Sequence, residues 1–342
     1  MSRPGRIGPL APFFARGRPL IADGGLATAL EARGHRLDTR LWSAELLVSN
    51  PDAIRRTHAE YLAAGADCIS TASYQASFPG FRAQGYGDGD AAAFLELSVA
   101  LAIEARDEFR AEQAGRIGWL RPLVAASAGP YGAYLGDGSE YDGRYGVEPR
   151  VLDEFHRRRF RLFARSDADL ILCETIPSGL EVEVVLGILA ETPEAWAWVS
   201  FCCADGARLW DGTPVEAVAR LCDRAERVAA VGVNCVAPAH VGELIGRIRG
   251  ETDLPVIVYP NSGEVYDAHT GAWHWPANGA RGAGEPTLEA RDWIARGAAG
   301  VGGCCRVGPA GIRALRRQVA GVTLARTGDS PDGGLGAPGQ RR

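Results

Sequence analysis

Three cysteines carry the chemistry this sequence offers. Cys235 lies in Gly232-Val233-Asn234-Cys235, and Cys304 and Cys305 lie in Gly302-Gly303-Cys304-Cys305-Arg306. Each loop follows a short apolar run of the kind that forms a buried strand. Three thiolates brought together from two strand ends would hold a zinc ion and leave its fourth coordination position open, the arrangement of a catalytic zinc site. Zinc deprotonates a coordinating thiol, so a thiol substrate suits the open position. Alkylation of that sulfur would relieve the excess negative charge by making a weakly bound thioether. Ligands this far apart in sequence form no local zinc signature. Two other readings share the spacing: structural loops with incidental cysteines, and a vicinal Cys304–Cys305 disulfide, which a reducing cytosol disfavours.

The remaining five of the eight cysteines read differently. Cys68, Cys173 and Cys202 sit inside apolar runs, and with Cys203 and Cys222 they are expected to be buried core thiols. Lysine is absent from the chain; all 37 basic residues are arginines. That excludes a lysine Schiff base, a pyridoxal-phosphate lysine and a Walker A lysine. The net charge of −5 and the lack of a basic stripe argue against nucleic acid. No apolar run approaches the ~20 residues that span a bilayer. Met1–Arg18 has no apolar stretch of the secretory type, so a cytoplasmic protein with reduced thiols is expected. Ser127, in Ala-Ala-Ser-Ala-Gly, only partly echoes a nucleophile elbow. His269 and His274 read as surface residues.

These loops need a scaffold. Eight apolar runs alternate with amphipathic segments: Leu20–Asp23, Asp67–Thr71, Leu123–Ser127, Leu170–Glu174, Ala197–Phe201, Val228–Asn234, Pro255–Tyr259 and Ala299–Gly302. Between them Asn50-Pro51-Asp52 marks a helix start and Gly65 its end. Asp153–Arg165, Gly179–Leu189 and Pro309–Val319 read as further helices. Strand–helix alternation implies a parallel sheet, and eight units imply a closed (β/α)₈ TIM barrel. A doubly wound open sheet would want a G-x-G-x-x-G turn after the first strand, and there is none. The barrel is expected over residues 19–322 as one domain, with disordered segments at 1–18 and 323–342. Polar residues follow each run, where a barrel places its active site. The cysteines follow the sixth and eighth.

The chain resembles the homocysteine-binding methyltransferases. The residues that carry this are Asp23-Gly24-Gly25-Leu26-Ala27-Thr28, Cys173-Glu174-Thr175, Gly232-Val233-Asn234-Cys235 and Gly302-Gly303-Cys304-Cys305-Arg306. It is most similar to the branch of homocysteine S-methyltransferases that use S-methylmethionine or S-adenosylmethionine. That likeness rests on Thr71–Ala76, Gly129–Tyr134, Asp137–Tyr141 and Tyr259–Glu264. The resemblance spans roughly Pro19 to Val319. It implies a (β/α)₈ barrel, zinc on Cys235, Cys304 and Cys305, and homocysteine as methyl acceptor.

Within that reading the remaining site residues take roles. Glu174 would receive the substrate ammonium through charge-assisted hydrogen bonds. Asp23 and the amides of Gly24 and Gly25, where a helix begins, would orient its amino-acid end, the amides favouring the carboxylate. Asn234 would orient the cysteine loop or bond to substrate. Aromatic residues crowd the strand-end loops: Trp42, Tyr74, Phe78, Tyr131, Tyr134, Tyr141, Tyr145, Tyr266, Trp273 and Trp275. A few would face a cationic donor, each good contact contributing ~0.5–2 kcal/mol, with Trp42 and Tyr74 the first candidates. The partners are then small molecules, homocysteine and a sulfonium donor. A betaine-type donor, a non-catalytic zinc–thiol sensor and a zinc hydrolase are the rival readings.

Overall fold

The computed structural model describes residues 6–37, 41–113, 120–267, 272–274 and 288–324. Eight strands form one parallel sheet: β1 (Leu20–Ile21), β2 (Cys68–Ser70), β3 (Leu123–Ala128), β4 (Leu170–Ile176), β5 (Ala197–Phe201), β6 (Val228–Asn234), β7 (Val256–Tyr259) and β10 (Gly300–Val301). A small antiparallel hairpin of β8 (Val265–Asp267) and β9 (Ala272–His274) stands apart. The order β1-β10-β7-β6-β5-β4-β3-β2 leaves β1 and β2 at the ends of the list. A parallel bridge, Ala22 to Cys68, joins those ends. The Asp67 N–H donates to Ile21 O at 2.7 Å, and the Asp23 N–H to Cys68 O at 3.0 Å. The sheet is therefore a closed barrel, as expected, and its edges are removed.

The strands are mostly apolar because both faces are covered; the polar exceptions, Ser70, Ser127, Glu174, Thr175, Ser200 and Asn234, fall toward their carboxyl ends. One face packs on helices, through residues such as Ile69, Val124, Ile171, Val231 and Val258. The alternate residues fill the interior: Leu20, Ala125, Leu172, Trp198, Ile257 and Tyr259 belong to one buried cluster. Leu10 and Phe13 join that cluster. They come from the turns Gly8–Leu10 and Ala11–Phe14, which close the amino-terminal end of the barrel. This corrects the expectation of disorder at 1–18: from residue 6 onward that segment is part of the fold. Its Arg, Gly and Pro content hid two apolar plugs. At the other terminus Leu324 N–H donates to Gly17 O at 2.7 Å, and 325–342 lie outside the described residues.

The predicted helices are present with small shifts. Pro51–Ala64 starts on Asn50, whose side chain accepts from the Ala53 N–H, and stops at left-handed Gly65. The others run Pro149–Ala164, Gly179–Ala190 and Pro309–Gln318. Strand limits moved more. Two-residue pairing suffices for β1 and β10, whereas β4 continues two residues past Glu174. Cys68, Cys173, Cys202, Cys203 and Cys222 are free and buried, as expected.

Candidate active site

The carboxyl ends of the strands surround a cleft of about 690 Å³. Cys235, Cys304 and Cys305 meet on its wall, their Sγ atoms all within 4.8 Å of one another. Cys235 Sγ lies 3.6 Å from Cys305 Sγ. Two sulfurs of a tetrahedral zinc with ~2.3 Å bonds would stand roughly 3.8 Å apart, so the donor set fits that ion. All eight cysteines are free, Cys304 and Cys305 among them. Neighbouring loops hold the ligands in place. The Cys304 N–H donates to Pro260 O at 2.8 Å, and the Ser262 N–H to Cys305 O at 3.1 Å. The Cys305 N–H donates to the Asn261 side chain at 3.2 Å. The loop after β7 thus supports the loop after β10.

Crowded thiols cannot all ionise without a counter-charge. Hydrogen bonds from Cys304 and Cys305 hold Cys235 well below the usual thiol range, and Tyr141 helps. Those same bonds push Cys304 and Cys305 upward. A dication on the three sulfurs would settle this conflict. Tyr141 was not singled out from sequence as a site residue. Its hydroxyl sits 3.3 Å from Cys235 Sγ, and its ring packs edge-on against Trp210 at 6.1 Å.

Asp23 and Glu174 form the second feature. Asp23 accepts from the Ser70 N–H at 2.8 Å and from its hydroxyl at 3.1 Å. Glu174 accepts from the Ser127 hydroxyl at 2.5 Å, which gives Ser127 a supporting role and no nucleophilic one. Burial pushes the Asp23 carboxyl well above its usual range, and the nearby Glu174 charge adds to this. Burial pushes Glu174 up to about 7. Two carboxyl groups with raised pKa values, Asp23 buried and Glu174 half-buried, would be stabilised as ions by a cation beside them.

The glycines beside Asp23 do something other than expected. The Gly25 N–H donates to Val307 O at 3.0 Å, so it is not available to a carboxylate. A Cβ on Gly24 would lie 2.2 Å from Val307 O, and one on Gly25 2.7 Å from Cys304 O. Both glycines let the loop after β1 lie directly on the cysteine loop. Amide donors for an anion are left to Gly24 and to the first turn of the helix Leu26–Glu31. Of the two roles expected for Asn234, contact with substrate is not supported: it is fully buried and does not line the cleft. Its Oδ1 accepts from the Thr175 N–H at 2.8 Å, and its Nδ2 donates to Thr175 Oγ1 at 2.7 Å. Nδ2 also reaches Cys304 Sγ at 3.8 Å. Asn234 is a positioning residue, tying β4 to the thiol cluster.

Backbone strain is concentrated here. Trp42, Thr175, Cys235 and Arg306 are the non-glycine residues with positive φ among the described residues, at +49°, +60°, +54° and +65°. All four line the cleft. Such strain persists where a site over-determines its backbone. Trp42 and Tyr74 both line the cleft, rings 6.2 Å apart and edge-on. Tyr131, Tyr134 and Tyr145 lie elsewhere, clustered with Phe155 or bonded to Glu181. Phe78 packs under Arg158. Trp275 and His269 lie outside the described residues, as do the side chains of Tyr266, Trp273 and His274.

The chain is thus a (β/α)₈ barrel with a three-cysteine cluster, a carboxylate pair and strained loops at the carboxyl ends of its strands, where barrels of this kind carry their active sites. The sequence model of the homocysteine S-methyltransferase family matches residues 20–319. A homocysteine S-methyltransferase of Bacillus subtilis, YbgG, is 45% identical over 86% of this chain and 93% of its own. One from Escherichia coli is 43% identical over 91% and 98%. The crystal structure of the Escherichia coli homocysteine methyltransferase MmuM in metallated form superposes with a TM-score of 0.79 at 41% identity, covering 91% of this chain and all of that one. The chain belongs to the homocysteine S-methyltransferase family and is an enzyme of that family. No helix among the described residues is long and apolar enough to cross a membrane.

Proposed function

We propose that the chain transfers a methyl group from a sulfonium donor, S-methylmethionine or S-adenosylmethionine, to the thiol of homocysteine, giving methionine. Zinc on Cys235, Cys304 and Cys305 completes the enzyme, which works in the cytoplasm as a single domain that includes the barrel plug from residue 6 onward. The observation that carries this reading is the convergence of three Sγ atoms within 4.8 Å in one cleft with Asp23 and Glu174. Bound there, zinc would hold the acceptor sulfur as a thiolate at neutral pH.

The chain's own residues do the rest. Asp23 and Glu174 take the homocysteine ammonium, which supplies the positive charge these carboxylates lack. Gly24 and the first turn after it offer amides to the carboxylate. Asn234, Thr175 and the loop after β7 fix the cysteines. Trp42 and Tyr74 offer ring faces to a sulfonium. The thiolate attacks the methyl carbon, the carbon–sulfonium bond breaks, and its electron pair stays on the donor sulfur as a neutral thioether. No general base is needed. Catalysis then rests on holding two reactants in line, which can contribute several kcal/mol.

A donor panel tests this. Homocysteine is incubated with the zinc-loaded enzyme and S-methylmethionine, S-adenosylmethionine or betaine in turn, and methionine is measured. Formation from a sulfonium donor with little from betaine is expected. Betaine as the better donor would overturn the sulfonium reading. Homocysteine binding with no methionine from any donor would favour a zinc–thiol sensor.

A further inference from the structure

Besides Asp23 and Glu174, two further carboxylates, Glu31 and Glu140, line the cleft, and Glu140 is the one with a buried oxygen left unpaired. Gln75 lines the cleft as well. Glu140 Oε2 and Gln75 Oε1 are buried and have no hydrogen-bond partner. Gln75 is oriented by its own Nε2, which donates to Ala133 O at 3.0 Å. A buried acceptor left unpaired is costly, and two of them in one cleft call for a ligand rich in N–H donors.

Glu140 is held firmly. It sits in the turn Ser139–Tyr141, between an Asp137–Ser139 hydrogen bond and Tyr141, whose hydroxyl touches Cys235 Sγ. The turn packs on the helix Tyr131–Leu135 so closely that a Cβ on Gly132 would lie 2.5 Å from the Glu140 nitrogen. Burial raises the Glu140 carboxyl, and of the acidic groups only Asp137 adds to this. Glu140 thus stands next to the residue that touches Cys235, in the same cleft as Asp23 and Glu174. The only arginine lining the cleft, Arg306, is paired with Glu264 at 3.1 Å.

We propose that Glu140 and Gln75 form a second ammonium subsite, which binds the α-amino group of the methyl donor and selects a sulfonium that is itself an amino acid. This rests on the methyl-transfer reading above. With the acceptor's ammonium at Asp23–Glu174 and its sulfur at the cysteines, a donor anchored at Glu140 is held in the same cleft as that sulfur, and methyl transfer then depends on holding the two reactants in line. Tyr74, whose hydroxyl feels the Glu140 charge, then lies beside the sulfonium.

The test compares S-methylmethionine with 4-(dimethylsulfonio)butyrate, the same donor without its amino group. The ratio of their kcat/KM values is measured for the zinc-loaded wild type and for Glu140→Gln. The ratio cancels any loss of folded enzyme. A fall of about tenfold or more in the variant, expressed mainly in the donor KM, is expected for loss of a hydrogen bond to a charged group. An unchanged ratio overturns the proposal, and so does an equal loss for both donors, which would place Glu140 against the sulfonium. A wild type inactive with both donors would instead show that the methyl-transfer reading has failed, and the subsite falls with it.

Discussion

Cys235→Ser loses both bound zinc and methionine formation, with activity down by about a thousandfold or more, since metal affinity of this kind depends on thiolate ligands. Serine keeps the shape and tolerates the same backbone, so the positive φ at 235 adds no new strain. What changes is the donor atom. A hydroxyl stays protonated at neutral pH and is a poor ligand for zinc beside two thiolates. Cys304 and Cys305 would lose the partner that sets their hydrogen bonds, and Tyr141 would lose its contact at 3.3 Å. Metal analysis and a melting curve on the same preparation separate loss of zinc from loss of fold.

The second large effect falls on acceptor binding. Glu174→Ala should raise the homocysteine KM by about a hundredfold while leaving zinc in place, the scale of removing one partner of a buried charge pair. Loss of zinc in this variant would mark Glu174 as structural. The pH dependence gives an independent readout. In the free enzyme burial holds Glu174 at about 7, above the carboxylate's ordinary 4.5. The folded pKa is raised, so its contribution to stability is fully present below about 4.5 and is lost as pH rises through about 7. Substrate reverses the preference, because the ammonium pairs with the ionised form. Homocysteine affinity in the wild type should therefore increase between pH 6 and 8. In Glu174→Ala the slope should be shallower, with Asp23 left as the remaining carboxylate.

The barrel was legible because fully buried parallel strands must be apolar on both faces, and Val228–Val233 or Leu170–Cys173 leave no other reading. The cysteines were legible because glycines cluster only where backbone must turn or approach closely. Strand ends were less so: β1 and β10 are completed by neighbours across the sheet, and that pairing has no local pattern. Leu10 and Phe13 were missed because two apolar residues among Arg, Gly and Pro make no periodicity. Tyr141 and Glu140 reach the cleft through a turn whose path is set by Gly132, Gly136 and Gly138, and only tertiary packing brings them to Cys235. Gly25 was expected to offer its amide to substrate, and Asn234 either to orient the cysteine loop or to bond substrate; only the loop role of Asn234 has support in the hydrogen bonds. Their bonds run to Val307 and Thr175, partners distant in sequence. The one sequence hint for Thr175 was its place after Glu174 in a motif.

The most direct measurement is methionine formation against zinc content. The enzyme is stripped with a chelator under reducing conditions and titrated with zinc in the presence of homocysteine and S-methylmethionine. Activity should be lost on stripping and return in proportion to zinc, saturating at one ion per chain. Full activity in the metal-free protein would contradict a thiolate-held zinc at Cys235, Cys304 and Cys305.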